Sequence, residues 1–367
     1  MFEGYAYMEK QLITRWFLGS NSVRGFCSLY DGYCRGEGDF LRVIKGGPGC
    51  GKSSFMRRIG EAASGKGLDV EYIHCSGDPD SLDGVYIPAL RLGYADGTSP
   101  HIMDPACFGA TGDYLNLGAF CDCARSRGAA SQLEGLTAAY KAHYARAYSL
   151  LAAAGAAATG PAGAYLAAGD REAAAKRARS MAGRELPRAA KGAERGRAAR
   201  RFLGGVTCKG RVFCTETLPA LCARVYRLEG RFGLAPAFME AMAEEALSRG
   251  LDVLLCPHPL LPDTLEALAI PALGLGFVAD LGDGTALPET CRCLHLDRLS
   301  AAAEDRAARR ALKAEARMTG GLCEMAVLSL AAAKALHDEL EAVYRPFVDF
   351  TGLTDAANRE IARLGLA

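Results

Sequence analysis

An excess of either charge is the first thing this sequence lacks: 43 Lys and Arg stand against 42 Asp and Glu in 367 residues, a formal net charge of +1. A chain so balanced has no whole-molecule field to draw it to nucleic acid or to an acidic surface. A dense cysteine framework is also lacking. The 14 cysteines are scattered along the chain, which argues against a disulfide scaffold and for reduced thiols. The first residues, MFEGYAYMEKQLITRW, carry charge early and have neither a long apolar run nor a small-residue cleavage site. They do not read as a secretory signal, and a cytoplasmic location is expected. Ala147 to Gly169 holds no charge over a membrane-crossing length. Its Ala and Gly gain little from lipid, however, and Gly160-Pro161 would break a helix there, so the expectation is the tip of a helical hairpin and no membrane span.

What is present begins with length. A chain of 367 residues exceeds one ordinary core, so two or more domains are expected. An apolar run, Phe40 to Ile44, leads directly into Gly46-Gly47-Pro48-Gly49-Cys50-Gly51-Lys52-Ser53-Ser54, which is the Walker A pattern. Glycine tolerates the backbone angles that let successive amides converge on phosphate oxygens. Lys52 would bridge the β- and γ-phosphates and Ser53 would coordinate Mg²⁺, with the positive end of the following helix aimed at the anion. Phe55, Met56, Ile59, Ala62 and Ala63 recur at helical spacing, Gly65 and Gly67 stop the helix, and Val70 to His74 reads as the next strand. The cofactors implied are ATP and Mg²⁺. Cys50 sits inside the loop, where oxidation or alkylation should block the nucleotide.

The chain is also written twice. Arg15-Trp-Phe-Leu-Gly19 recurs as Arg200-Arg-Phe-Leu-Gly204, Gly67-Leu-Asp-Val70 as Gly250-Leu-Asp-Val253, and Ile87-Pro-Ala-Leu90 as Ile270-Pro-Ala-Leu273. Phe55-Met56 matches Phe238-Met239 between them, and anchors in common register indicate a tandem repeat. The second phosphate loop, Gly230 to Gly233, has no lysine and no hydroxyl: Ala235 and Pro236 fall where Lys52 and Ser53 stand. Loss of that lysine removes an attraction on the order of 4 kcal/mol, roughly a thousandfold in affinity. The second copy therefore reads as a scaffold or lid, with Arg231 a less favoured donor to the first site.

The disarmed copy helps to find chemistry in the intact one. In His74-Cys-Ser-Gly-Asp-Pro-Asp-Ser-Leu-Asp83, Asp78 becomes apolar Leu261, whereas Asp80 and Asp83 keep acidic counterparts in Asp263 and Glu266. Asp78 is accordingly assigned to the active site, positioning water or Mg²⁺, and the other two to turn and cap roles. A second acid should end a strand beside the loop and hold Mg²⁺. Asp104, after Pro100-His-Ile-Met, is preferred to Asp96, because Asp96-Gly97 reads as turn chemistry. The catalytic set is then Lys52, Asp78 and Asp104, with Ser53 and Asp104 on the metal. His101 could polarise the γ-phosphate or be an edge-strand histidine. Cys121-Asp-Cys123 and Cys291-Arg-Cys293 fall at unlike points of the repeats with no C-x-x-C nearby, so no zinc site is expected. Residues 170–201 carry eleven Lys/Arg against four Asp/Glu, a solvated helix face or a contact for a polyanion.

Taken together, GGPGCGKSS, HCSGDPDSLDGVYIPAL and DGTSPHIMDP resemble the bacterial, Firmicutes-type family of tandem P-loop ATPase-like proteins. The resemblance spans nearly the whole chain and implies ATP and Mg²⁺ at Gly46 to Ser54. It carries no settled substrate, and Ala235 and Pro236 depart from the usable second loop common in that family. The expected fold is α/β: two repeated P-loop NTPase-type domains in a parallel-sheet sandwich, the second degenerate, with helical insertions. The divisions are 1–122, 123–199 (helical and basic), 200–300 (degenerate repeat) and 301–367 (helical). The expected function is an ATPase coupling hydrolysis to conformational change, acting on an unidentified client; a kinase-like phosphotransferase and a non-hydrolysing ATP sensor stay open beside it.

Overall fold

A computed structural model describes residues 11–98, 103–158, 167–190, 192–230, 232–281, 286–290 and 292–367. His101, Arg231 and Cys291 lie outside them. The first repeat contributes strands β1 (Ile13–Phe17), β4 (Phe40–Lys45), β5 (Val70–His74), β6 (Leu82–Ile87), β7 (Leu92–Asp96) and β8 (Gly112–Asn116), ordered β1-β5-β6-β7-β4-β8. The second contributes β9 (Ala198–Arg200), β12 (Arg224–Glu229), β13 (Val253–Pro257), β14 (Leu265–Ile270), β15 (Leu275–Asp280) and β16 (Arg292–His295), ordered β9-β13-β14-β15-β12-β16. The same order in both sheets gives the sequence repeat a structural form.

The sheets are mixed, which corrects the expectation of parallel sheets. β6 and β14 run antiparallel to both neighbours. The reason is covalent reach: a parallel connection needs a crossover of a dozen or more residues, whereas β5 joins β6 and β6 joins β7 through short turns. The second of these turns is the Pro88–Leu90 3₁₀ turn closed by left-handed Arg91. The remaining pairings in each sheet are parallel.

The repeats meet about a local two-fold. Phe17 and Phe202 exchange backbone hydrogen bonds, N to O at 2.9 Å each way, and both rings are fully buried. Around them Trp16, Leu41, Val43 and Ile73 of one sheet share a core with Leu203, Val225, Leu254 and Val278 of the other. The inner faces of the two sheets therefore bury each other. The hairpins β2 (Gly19–Ser22) with β3 (Gly25–Ser28) and β10 (Gly204–Thr207) with β11 (Gly210–Phe213) cross to the opposite repeat. Arg24 pairs with Asp263 and Lys209 with Asp80, so the two acids kept in both copies hold the partner repeat's hairpin.

The helices are exchanged in the same way. α1 (Lys52–Gly65) covers the outer face of the first sheet, and α2 (Ala130–Ala158) rises from that repeat. α3 (Ala168–Glu185) then packs Ala174, Ala178, Met181 and Ala182 against α4 (Leu234–Ser248), the outer helix of the second sheet. α5 (Arg306–Tyr344) lies along α2, and α6 (Phe350–Arg363) returns to the first repeat, placing Leu353 and Ala357 beside Phe55, Met56 and Ile59 of α1. The helical segments thus complete the cores of the opposite repeats. Part of the basic stretch is paired after α3: Arg195 meets Glu244, Arg197 meets Asp252 and Arg201 meets Glu71. Among the described helices, the one spanning Arg306–Phe347 has the length and hydropathy to cross a membrane; it packs on α2 and carries Lys334, His337, Asp338 and Glu341 to the phosphate loop.

α6 is fixed by one ionic cluster. Glu360 accepts hydrogen bonds from Arg42 at 2.8 Å, from Arg363 at 2.7 and 2.9 Å, and from the Tyr94 hydroxyl. Arg42 also grips Asp113 through two bonds of 2.8 and 2.9 Å. Burial alone would raise the Glu360 carboxyl, but these donors overcome it and hold it at about 2 against an ordinary 4.5. A depressed carboxyl stabilises the fold above its unfolded value and loses that contribution as pH falls from about 4.5 towards about 2. Glu360→Gln leaves Arg42 and Tyr94 poorly matched and should cost about 3 kcal/mol at pH 7. Thermal melts between pH 7 and 2.5 test this, since the acid-induced fall in Tm should be visibly shallower in the variant.

Candidate functional site

β4 delivers the chain to the loop at the edge where the parallel strands end, the end at which α/β sheets bind ligands. Its alternating burial seats Leu41, Val43 and Ile44 in the core. Gly49 and Gly51 then turn through left-handed φ of 71° and 68°, angles that a side chain disfavours, and α1 begins at Lys52 with Gly51 as its N-cap. Strand, glycine turn and helix are arranged as the motif demands. Cys50 is only 2% exposed, so its thiol faces the protein interior and reagents reach it only when the loop opens.

Lys52 is folded inward with a side chain 11% exposed. Its ammonium donates to Gly46 O and Gly47 O at 3.0 Å each and lies 3.6 Å from Asp96 Oδ2. Ser53 Oγ accepts from Leu82 N at 2.9 Å, which docks the segment after β5 onto the first turn of α1. Asp96 is itself oriented by Thr98, whose N and Oγ1 donate to Oδ1 at 2.8 and 2.6 Å.

The acid that ends a strand beside the loop is Asp96 and not Asp104. Asp96 ends β7, the parallel neighbour of the loop strand, and pairs with Ile44 in register; it is no hairpin turn. Asp104 lies outside any strand, with a side chain 63% exposed, beside Tyr114 Oη at 2.8 Å and Lys45 Nζ at 3.8 Å. The repeat held the signal for Asp96. Leu92-Gly-Tyr-Ala-Asp96 lies over Leu275-Gly-Phe-Val-Ala279, and Ala279 faces Leu228 where Asp96 faces Ile44. The strand-end acid of the second copy, Asp280, falls one residue further on, opposite Glu229, and pairs with Arg227, so the register of Asp96 is lost together with the lysine.

Asp78 lies in the turn that docks on α1. It accepts from Asp80 N at 3.2 Å and Ser81 Oγ at 3.0 Å, and Lys334 Nζ of α5 stands 3.4 Å from Oδ2. The turn itself recurs in the second repeat, where Thr264 N donates to Leu261 O as Ser81 N does to Asp78 O, both at 2.9 Å. Lys334 and its neighbours on α5 gave no sequence signal, since they are distant in the chain and sit in an alanine-rich helix. Among the described residues, His337, Asp338 and Glu341 also bring a ring nitrogen and two carboxylate oxygens within 4.8 Å of one another.

The second loop is closed by its own side chains. Gly233, at φ 75°, caps α4 as Gly51 caps α1, so the residue following the left-handed glycine is Leu234, fully buried, rather than Ala235. A β-carbon on Gly230 would lie 2.6 Å from that of Ala235, so the first turn of α4 packs directly on this glycine. Phe232 N donates at 3.3 Å to the buried carboxylate of Asp297, so a loop amide is taken by an acid of the same chain. The first repeat has Gly118 at the corresponding position after its own β8.

Whether the first loop suits Mg·ATP can be judged from its donors. One buried ammonium, one oriented carboxylate and one hydroxyl converge at a helix N-terminus beside two left-handed glycines, and this set fits a polyphosphate with its metal. Lys52 would hold phosphate, and Ser53 and Asp96 the metal. No protein-family model matches the chain, and no curated protein or solved structure matches it.

Proposed function

We propose that the protein is an ATPase with one competent nucleotide site, Gly46 to Ser54, in which the second repeat acts as a structural partner. The observation that carries this reading is the pairing of Lys52 with Asp96 at 3.6 Å at the C-terminal edge of two adjacent parallel strands, matched by apolar Leu234 and Ala279 in the closed copy. A fold that needed these charges for stability would have kept them twice. The exchanged helices favour coupling of the site to conformational change, because α5 ends at the loop and α6 begins beside it, with Leu353 against Gly51.

A second reading, a sensor that binds ATP without turnover, is favoured by one detail. The Asp78 carboxylate is engaged by its own turn and by Lys334, so it is held by the protein rather than aimed at an attacking water. Titration with Mg·ATP followed by product analysis separates the readings. Mg²⁺-dependent phosphate release without an added acceptor supports the ATPase; tight binding with no release supports the sensor. ADP formation that requires an acceptor would point instead to phosphotransfer.

A further inference from the structure

The last turns of α5 lie against the phosphate loop. Glu341 Oε1 accepts a hydrogen bond from Gly49 N at 3.2 Å. A β-carbon on Gly49 would sit 3.3 Å from the Glu341 carbonyl oxygen and 3.4 Å from its Cβ, so helix and loop touch through the space that only glycine leaves. One turn back, His337 Nδ1 lies 3.7 Å from the same Oε1 atom, and Lys334 reaches Asp78. A single face of α5 thus spans the loop and the catalytic turn.

An amide of a phosphate loop is a donor aimed at an anion, and the anion it holds here is a carboxylate of the same chain. Resting on the proposal that this loop binds ATP, we infer that Glu341 is an internal competitor of the nucleotide: its carboxylate occupies the Gly49 amide, and phosphate must displace it. The two anions cannot share one donor, since like charges at hydrogen-bond distance repel strongly away from bulk water. The closed second loop shows the same device made permanent, with Asp297 on Phe232 N.

Displacement of Glu341 is passed on by what α5 touches. The chain after α5 is stitched beside the loop by Asp122 N to Phe347 O and Asp349 N to Phe120 O, both 2.8 Å. Movement is therefore confined to the helix end above that anchor. α5 also holds α2, through Ser329 Oγ to His143 O at 3.0 Å and the edge-on packing of His337 against Tyr140. Nucleotide occupancy is in this way linked to the helix pair.

The test uses the full chain, Mg²⁺ and a non-hydrolysable ATP analogue, with affinity read by calorimetry and amide hydrogen exchange read over 336–344. Saturation of the wild type should accelerate exchange in that segment. Glu341→Ala should bind about tenfold tighter, exchange fast without nucleotide and respond no further to it. Glu339→Ala removes the same charge from an exposed position two residues away, on the opposite side of the helix, and should bind like the wild type. Equal affinities for the two variants, or a saturated wild type whose 336–344 exchange is unchanged, would overturn the competitor while leaving the nucleotide site standing. Absence of binding by wild type and Glu341→Ala alike would remove the nucleotide site itself.

Discussion

Lys52→Ala should lower the affinity for Mg·ATP by roughly a thousandfold, to the point where calorimetry detects no binding at micromolar protein. The ammonium is both buried and oriented beside the loop amides, 11% exposed and tied to Gly46 O and Gly47 O. Its removal leaves the fold intact, because α1 is held by Phe55, Met56, Ile59 and Ala63, all nearly or fully buried. A variant that melts with the wild type and still binds ATP within a few-fold of it would place the triphosphate elsewhere.

Asp96→Asn should have the next largest effect, a loss of roughly a hundredfold in Mg²⁺-dependent turnover, about 2.7 kcal/mol of barrier. Asparagine keeps an oxygen for Thr98 and preserves the volume, so the change is confined to charge beside Lys52. Asp104→Asn, at an exposed position against Lys45 and Tyr114, should leave turnover within about twofold of the wild type, a change too small to implicate the reacting groups. Phosphate-release rates of the two variants as a function of Mg²⁺ decide between the acids, and the reverse ranking would return the metal to Asp104.

Those two acids show how far a sequence can be read. The glycine turn, α1 and the tandem repeat are legible because each rests on short-range chemistry: glycines where φ must be positive, apolar residues at helical spacing, and two copies in register. The sequence favours Asp104 for a short-range reason too, since Asp96-Gly97 has the composition of a tight turn, while the place of Asp96 at the end of β7 depends on β7 lying beside β4. Pairing between strands separated by dozens of residues leaves no local mark. The same holds for β6 and β14, whose antiparallel direction follows from the shortness of their connections.

Long-range exchange hid the rest. Each repeat carries helical additions in the sequence, but nothing local says that α3 completes the core of the second repeat and α6 that of the first, because an amphipathic helix fits any matching apolar face. Asp80 and Asp263 were recognisable as structural by their retention in both copies. Their partners, Lys209 and Arg24, emerge only once the hairpins cross. Glu341 is the extreme case, one acid among many on an alanine-rich helix, given a role solely by the glycine it rests against.

The proposed function requires a triphosphate to be held in one place only. A crystal structure of the full chain with Mg²⁺ and a non-hydrolysable ATP analogue tests it most directly. Density for the phosphates should lie against the amides of Gly46 to Ser53, with Lys52 turned outward to meet them, Asp96 at the metal and the loop around Gly233 still closed over Asp297. Nucleotide bound at Gly233, or a first loop left empty at saturating Mg²⁺ and analogue, would contradict it.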